Sequence, residues 1–162
     1  MHSQLYWIDT NTKLQLAIMA RPRAGDWLED EIAHWKRSDV EIVISLLEQD
    51  EVNDLGLGME EILCRKSGME FLRFPIPDRG VPGDADKAMR FAREIVDKDK
   101  TIAIHCRAGI GRSSVIAATI LIATGISPAI ALSAIEMARG VSIPDTDAQR
   151  QWVLKLRKPQ VD

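Results

Sequence analysis

The chain has 162 residues, of which 46% are hydrophobic and 28% charged, and this composition predicts a single globular domain over 1–162. Its 21 Lys and Arg residues against 24 Asp and Glu residues give a net charge of −3. Because no overall positive field would attract nucleic acid or an anionic membrane, we expect partners of neither kind. Two cysteines are too few for a disulfide framework and the N-terminus has no leader-like pattern, so we expect a cytoplasmic protein.

The first half of the chain alternates short apolar runs with helical patterns. Val, Ile and Leu content predicts strands at 5–8, 14–19, 40–47 and 71–76. Helices are predicted over 26–37 and 59–66. The first would start at a capping box formed by Asp26 and Glu29, and its inner face would carry Trp27, Ile32 and Trp35.

The second half contains one more strand and four helices. Asp84 is predicted to cap a helix that ends near Asp99, and the apolar strand 101–105 follows. Three helices complete the chain: one from Arg112 or Ser113 to Thr124, one from Ser127 to Gly140, and one opened by Asp145 or Thr146. This alternation predicts an α/β fold, with a largely parallel central sheet of about 4–5 strands flanked by helices.

A loop of unusual composition joins the strand 101–105 to the apolar helix after it. It reads His105-Cys106-Arg107-Ala108-Gly109-Ile110-Gly111-Arg112-Ser113. The amide N–H groups of such a loop can turn inward, and the helix N-terminus adds a partial positive charge. The order differs from the nucleotide-binding Gly-x-x-x-x-Gly-Lys-Ser/Thr loop. We therefore predict an anion cradle, formed by the substrate-binding residues Arg107, Ala108, Gly109, Ile110 and Gly111.

The side chains at the ends of this loop suit nucleophilic chemistry on a phosphoryl group. Amides and the helix dipole would stabilise the thiolate of Cys106, making it a nucleophile at neutral pH. The planar guanidinium of Arg112 can hold two phosphoryl oxygens at once. Ser113 can donate a hydrogen bond to the sulfur, and His105 would orient the loop from behind.

The loop resembles the signature of the cysteine-dependent protein phosphatases, His-Cys-x-x-Gly-x-x-Arg-Ser/Thr, and the small size suggests the dual-specificity branch of the protein tyrosine phosphatases. The segment from Pro75 to Gly80 is similar to the general-acid loop of that family, with Asp78 at the acid position. Gln149 resembles a glutamine that some members use to position water. The resemblance implies displacement through a phosphocysteine on Cys106, with neither metal nor other cofactor.

Several alternatives stay open at the level of sequence. Asp78 suits a turn in a Pro- and Gly-rich loop, and Gln149 suits a solvent-facing position early in a helix. Cys64 is either a core residue or a redox partner of Cys106. No His and Cys residues cluster at metal-ligand spacing.

The resemblance favours a phosphorylated protein as substrate, with phosphotyrosine accepted and phosphoserine or phosphothreonine as further candidates. The same chemistry could act on a phosphoinositide, an inositol phosphate or an RNA 5′ phosphate. Relatives that do so often carry loop lysines, and this loop has Arg107 and Ile110 instead. A non-catalytic phosphate-binding module is the alternative of another class, and sulfur transfer or arsenate reduction is a further one.

Overall fold

The computed structural model describes residues 3–157 and forms one five-stranded sheet with helices on both faces. The strands are β1 (Tyr6–Trp7), β2 (Leu16–Met19), β3 (Ile42–Ser45), β4 (Glu70–Arg73) and β5 (Ile102–His105). They run in the spatial order β1-β2-β5-β3-β4. β1 pairs antiparallel with β2, and every other pair is parallel. The predicted α/β fold with a largely parallel sheet is therefore confirmed.

The helices follow the predicted pattern except near the start of the chain. Asp84 caps its helix by accepting from the Lys87 N–H at 3.1 Å, and Gly140 ends another in the left-handed conformation, at φ 78°. Thr146, rather than Asp145, caps the last one. The helices are α1 (Leu28–Arg37), α2 (Gln49–Asp54), α3 (Glu60–Lys66), α4 (Ala85–Asp97), α5 (Arg112–Ala123), α6 (Pro128–Arg139) and α7 (Asp147–Leu154).

Two hydrophobic cores cover the two faces of the sheet. On one face, Ile18, Ile44 and Ile104 pack with residues of α4, α5, α6 and α7. On the other, Val43 and Phe71 pack with residues of α1, α2 and α3. Both faces of β5 are buried, as its continuous apolar sequence predicted. α5 is buried over eleven of its twelve residues because it packs against three other helices as well as the sheet.

The predicted capping box at Asp26 is wrong. The chain turns at Gly25, which has φ 64°, and a 3-10 turn over Gly25–Trp27 leads into α1 without a side-chain cap. This turn rotates Trp27 outward, so that 54% of its surface is exposed and the Arg23 guanidinium lies 4.6 Å from its ring. Leu28 takes the inner position that had been assigned to Trp27.

The helix α2 was not predicted. It has six residues, of which only Val52 is apolar, so no hydrophobic period marks it in the sequence. Its start is a capping box in which the Glu48 N–H donates to Glu51 Oε1 at 3.0 Å. None of the helices in the described part of the chain has the length and apolar character needed to cross a membrane.

Candidate active site

The loop between β5 and α5 lies at the carboxyl edge of the sheet, above its central strand. It lines a small cleft of about 80 Å³ together with Asp78, Asp145 and Gln149. Open parallel sheets bind ligands at this edge because the connecting loops separate there. The structure thus brings the predicted nucleophile loop and the predicted acid loop to one cleft.

The loop presents its carbonyl oxygens away from this cleft. The oxygens of residues 106, 107, 108 and 109 each accept a hydrogen bond from a residue that does not line the cleft. A peptide N–H points opposite to the carbonyl of the same peptide unit, so the N–H groups of residues 107 to 110 point towards the cleft. An anion cradle requires N–H groups in this arrangement. The donors are, in order, His105 Nδ1 at 3.2 Å, the Arg21 N–H at 2.9 Å, Arg139 Nη2 at 3.4 Å and Arg139 Nε at 3.2 Å.

Two glycines allow the loop to pack this tightly. Gly109 has φ 71°, and a Cβ atom there would lie 2.5 Å from the carbonyl carbon of Met19. At Gly111, a Cβ atom would lie 2.9 Å from Cβ of Asp145 and 3.0 Å from Oε1 of Gln149. A larger residue at either position would therefore displace the loop.

Cys106 lines the cleft, and only 3% of this residue is exposed. The Ser113 hydroxyl donates to Sγ at 3.0 Å, as the sequence predicted. Such a bond stabilises negative charge on the sulfur. The neighbouring His105 is completely buried, and its Nε2 lies 2.6 Å from Oε2 of Glu60.

Arg112 is 2% exposed, and its guanidinium is held on several sides. Nη1 donates to Glu51 Oε1 at 2.7 Å and to the carbonyl oxygen of Ile76 at 2.8 Å. Nη2 donates to Glu51 Oε2 at 2.9 Å and to Asp78 Oδ1 at 3.2 Å. Burial lowers the pKa of Arg112, but the hydrogen bonds to Glu51 and the charges of Cys106, Glu51 and Asp78 outweigh it and raise the pKa overall. Arg112 therefore stays protonated.

Glu51 is one of the residues around the site that the sequence did not indicate. It accepts hydrogen bonds from both terminal nitrogens of Arg112, Nη1 and Nη2, and also from Arg107 Nε at 2.7 Å. Burial raises its pKa, but the hydrogen bonds from Arg112, Arg107 and Glu48 outweigh burial and lower the pKa to about 2. Nothing near Glu51 in the sequence indicates a partner 61 residues away.

Gln149 and the acid loop contact each other directly. Gln149 is completely buried, so the alternative of a solvent-facing residue is wrong. Its Oε1 accepts from the Thr146 N–H at 3.0 Å, and its Nε2 donates to the carbonyl oxygen of Gly80 at 3.0 Å. The acid loop is thereby tied to the start of α7, while the Asp78 side chain remains 58% exposed at the cleft.

The second cysteine, Cys64, does not line the cleft. Cys64 is buried in the core formed with α1, α2 and α3, whereas Cys106 belongs to the core on the other face. Both are free, and burial, followed by the charge of Glu60, raises the pKa of the Cys64 thiol. The structure therefore supports the core interpretation of Cys64. Among residues 3–157, no three His, Cys, Asp or Glu side chains form a group that could hold a metal ion.

Residues 17–126, more than half of the chain, match the family described as "Polymorphic toxin system, DSP-PTPase phosphatase". No curated protein sequence is significantly similar.

Three solved structures extend the likeness to nearly the whole chain. Kinase associated phosphatase, crystallised with serine in place of its catalytic site cysteine, is 19% identical with a TM-score of 0.84, over 94% of this chain and 93% of that one. Tk-PTP in its active form is 27% identical with a TM-score of 0.71, over 93% and 94%. PTPMT1 is 26% identical with a TM-score of 0.67, over 93% and 92%.

Proposed function

The chain belongs to the dual-specificity branch of the cysteine-dependent phosphatases, and from that membership we propose that it hydrolyses phosphotyrosine, and phosphoserine or phosphothreonine, in proteins. The observation that carries the proposal is the sulfur of Cys106, 3.0 Å from the Ser113 hydroxyl and beneath a loop whose N–H groups face the cleft. A nucleophile placed inside an anion-binding site suits attack on a phosphoryl group.

In the first step, the Cys106 thiolate attacks phosphorus and the bond to the leaving oxygen breaks. The loop N–H groups and Arg112 bind the three remaining phosphoryl oxygens and stabilise the charge that builds on them. Arg112 Nη2 lies 3.2 Å from Asp78 Oδ1. A phosphoryl group bound by Arg112 would therefore lie in the same cleft as the acid. Asp78 in its protonated form gives its proton to the leaving oxygen, which departs as the alcohol or phenol.

In the second step, a water molecule attacks phosphorus and the sulfur leaves. Asp78, now ionised, takes a proton from that water, so the enzyme returns to its starting protonation state. Ser113 donates to the departing sulfur and stabilises it as a thiolate. Gln149 is proposed to bind substrate or water at the cleft, while it keeps the Gly80 end of the acid loop in place.

The test is hydrolysis of an aryl phosphate in the presence of a chelator, followed by acid quenching to trap a labelled phosphoenzyme. We expect the wild-type protein to hydrolyse the aryl phosphate and to carry the labelled phosphoryl group on Cys106. Cys106→Ser should do neither, and the matched control Cys64→Ala, which removes the other thiol, should retain both. Full activity of Cys106→Ser, or complete inhibition by the chelator, would contradict the proposal.

A phosphoinositide is the second candidate substrate. PTPMT1 has been crystallised in complex with PI(5)P, at 24% identity to this chain. The specific observation that favours it is the pair of exposed arginines at the cleft, because the side chains of Arg79 and Arg107 are 66% and 46% exposed. These two cations could accommodate a second phosphate group of the substrate.

A comparison of kcat/KM for phosphotyrosyl and phosphothreonyl peptides with that for soluble short-chain PI(5)P separates the two candidates. The proposal of a protein substrate requires that a phosphopeptide be preferred. If the lipid is preferred and Arg79→Ala removes that preference, the second candidate is correct. Asp145→Ala, which removes the carboxylate 3.9 Å from Arg79, is the matched control for loss of charge at the same rim.

A further inference from the structure

Arg139 is the last residue of α6 and contacts the carbonyl side of the nucleophile loop rather than the cleft. Its Nε donates to the Gly109 carbonyl oxygen at 3.2 Å, and its Nη2 donates to the Ala108 carbonyl oxygen at 3.4 Å. No step of the proposed mechanism uses this side chain. We infer that Arg139 is a positioning residue, which fixes the two peptide units that present the N–H groups of Gly109 and Ile110 to the bound phosphate.

The guanidinium itself is held in place by an aromatic ring. Its central carbon lies 4.1 Å from the ring centroid of Tyr6, which is on the edge strand β1. A cation at this distance from an aromatic face is attracted to it. The ring helps to hold the guanidinium at this position, from which its planar fork can donate to two carbonyl groups at once. Lysine has one donor atom and cannot make both bonds with this geometry.

The two peptide units that Arg139 holds are also the ones with the least support from elsewhere. The carbonyl groups of Cys106 and Arg107, nearer β5, accept from adjacent groups, His105 and the Arg21 N–H. The part of the loop after Arg107 contains Gly109, which has φ 71°. A glycine resists rotation of its flanking peptide units less than other residues do.

A rotated peptide unit in this part would turn a carbonyl oxygen, instead of an N–H group, towards the anion. The apparent affinity for phosphate equals the intrinsic affinity multiplied by the fraction of loops in the binding conformation. By holding that conformation, Arg139 raises the affinity for a phosphoryl group without touching it. This inference rests on the proposed function, since it assumes that the loop binds phosphate.

The test separates phosphate binding from turnover. Affinity for inorganic phosphate is measured by calorimetry in the Cys106→Ser background, and kcat/KM is measured in the parent protein. We expect Arg139→Met to weaken phosphate binding and kcat/KM by a similar factor, of about tenfold, and Arg139→Lys to show a smaller loss. The phosphate affinity of Tyr6→Leu should lie between those of wild type and Arg139→Met. Tyr6→Phe keeps the aromatic face and should retain most of the wild-type affinity. Arg150→Met, which removes an exposed arginine from α7, is the matched control.

Unchanged phosphate affinity in both Arg139→Met and Arg139→Lys would overturn the inference. So would a rise in KM for substrate with no change in phosphate affinity, because this would mean that Arg139 contacts the substrate. Should Arg139→Met not fold, Arg139→Lys and Tyr6→Leu decide the matter on the same measurements. If the parent protein hydrolyses no phosphate ester, the proposed function fails, while the calorimetry in the Cys106→Ser background still decides the role of Arg139.

Discussion

Glu51 holds the guanidinium of Arg112 by two hydrogen bonds, from Nη1 to Oε1 at 2.7 Å and from Nη2 to Oε2 at 2.9 Å. This bidentate contact joins α2 to the first residue of α5. The side chains are 10% and 2% exposed, so water competes little for either partner. The orientation of Arg112, the proposed phosphate-binding arginine, therefore depends on a residue outside the loop between β5 and α5.

The first prediction concerns activity. Glu51→Gln removes the negative charge and one acceptor, so the guanidinium of Arg112 should lose its fixed orientation. We expect kcat/KM for an aryl phosphate to fall about 10²-fold, the scale of loss when a catalytic group is displaced by about 1 Å. Asp50→Asn removes a neighbouring exposed carboxylate of the same helix and should leave the rate unchanged. Equal rates for the two variants would contradict the assigned role of Glu51.

The second prediction concerns the pH dependence of stability. The pKa of Glu51 is lowered from 4.5 to about 2 in the folded state, so the folded protein binds a proton at this residue less readily than the unfolded chain does. The resulting stabilisation is complete above pH 4.5 and is lost as the pH falls towards 2. The difference in the free energy of unfolding between wild type and Glu51→Gln should therefore shrink by about 2 kcal/mol between pH 7 and pH 3. Urea unfolding at both pH values measures it, and a constant difference would contradict the lowered pKa.

The third prediction concerns the leaving group. If Asp78 protonates the leaving oxygen, Asp78→Asn should slow hydrolysis of phosphoserine or an alkyl phosphate by about 10²- to 10³-fold. The loss should be much smaller for a nitrophenyl phosphate, because that leaving group departs readily without a proton. Asp84→Asn, which keeps a helix cap near the same loop, is the control. An equal loss on both substrates would mean that Asp78 acts in another way.

The fourth prediction separates backbone strain from steric conflict. Gly109 and Gly125 both have positive φ, at 71° and 106°, but only at Gly109 would an added Cβ meet the backbone of Met19, at 2.5 Å. Gly125→Ala should cost about 1 kcal/mol and leave activity intact. Gly109→Ala should cost more and lower kcat/KM by about 10²-fold, because the loop must move. Similar activities for the two variants would mean that the loop tolerates displacement.

The fifth prediction concerns the buried pair formed by His105 and Glu60, next to Cys106. His105 Nδ1 donates to the Cys106 carbonyl, and Nε2 lies 2.6 Å from Glu60 Oε2. Glu60→Ala leaves a buried polar group without its partner and should lower the free energy of unfolding by about 3 kcal/mol. Glu60→Gln can still hydrogen-bond to Nε2 and should cost less. Glu61→Ala, which breaks partly exposed ion pairs with Arg65 and Arg73, should cost less than about 1 kcal/mol. An equally small cost for Glu60→Ala would contradict the role of the buried pair of Glu60 and His105.

The sequence predicted the parts of the fold and site that depend on neighbours along the chain. The buried strand β5, the apolar helix α5 and the contact between Cys106 and Ser113 all follow from one continuous segment, so periodicity and a local motif were sufficient. The caps at Asp84 and Ser127 are local as well, and they were predicted correctly.

The missed parts depend on residues far apart in the chain. Glu51 and Glu60 become site residues only because the parallel sheet brings α2 and α3 to the end of β5. No local pattern distinguishes them from the exposed carboxylates on the same helices. Trp27 was misassigned for the opposite reason: a local pattern was followed where a 3-10 turn shifts the register.

The loop is suspended between β5, all four residues of which are buried, and α5, which is buried over eleven of its twelve residues. Segments of this kind exchange their amide hydrogens only when the whole domain opens, whereas peripheral segments open locally at lower cost. The reactive loop thus has rigid anchors at both of its ends, and catalytic competence should be lost together with global unfolding as denaturant is added, not before it. In such a protein, resistance to proteolysis and enzymatic activity report the same equilibrium.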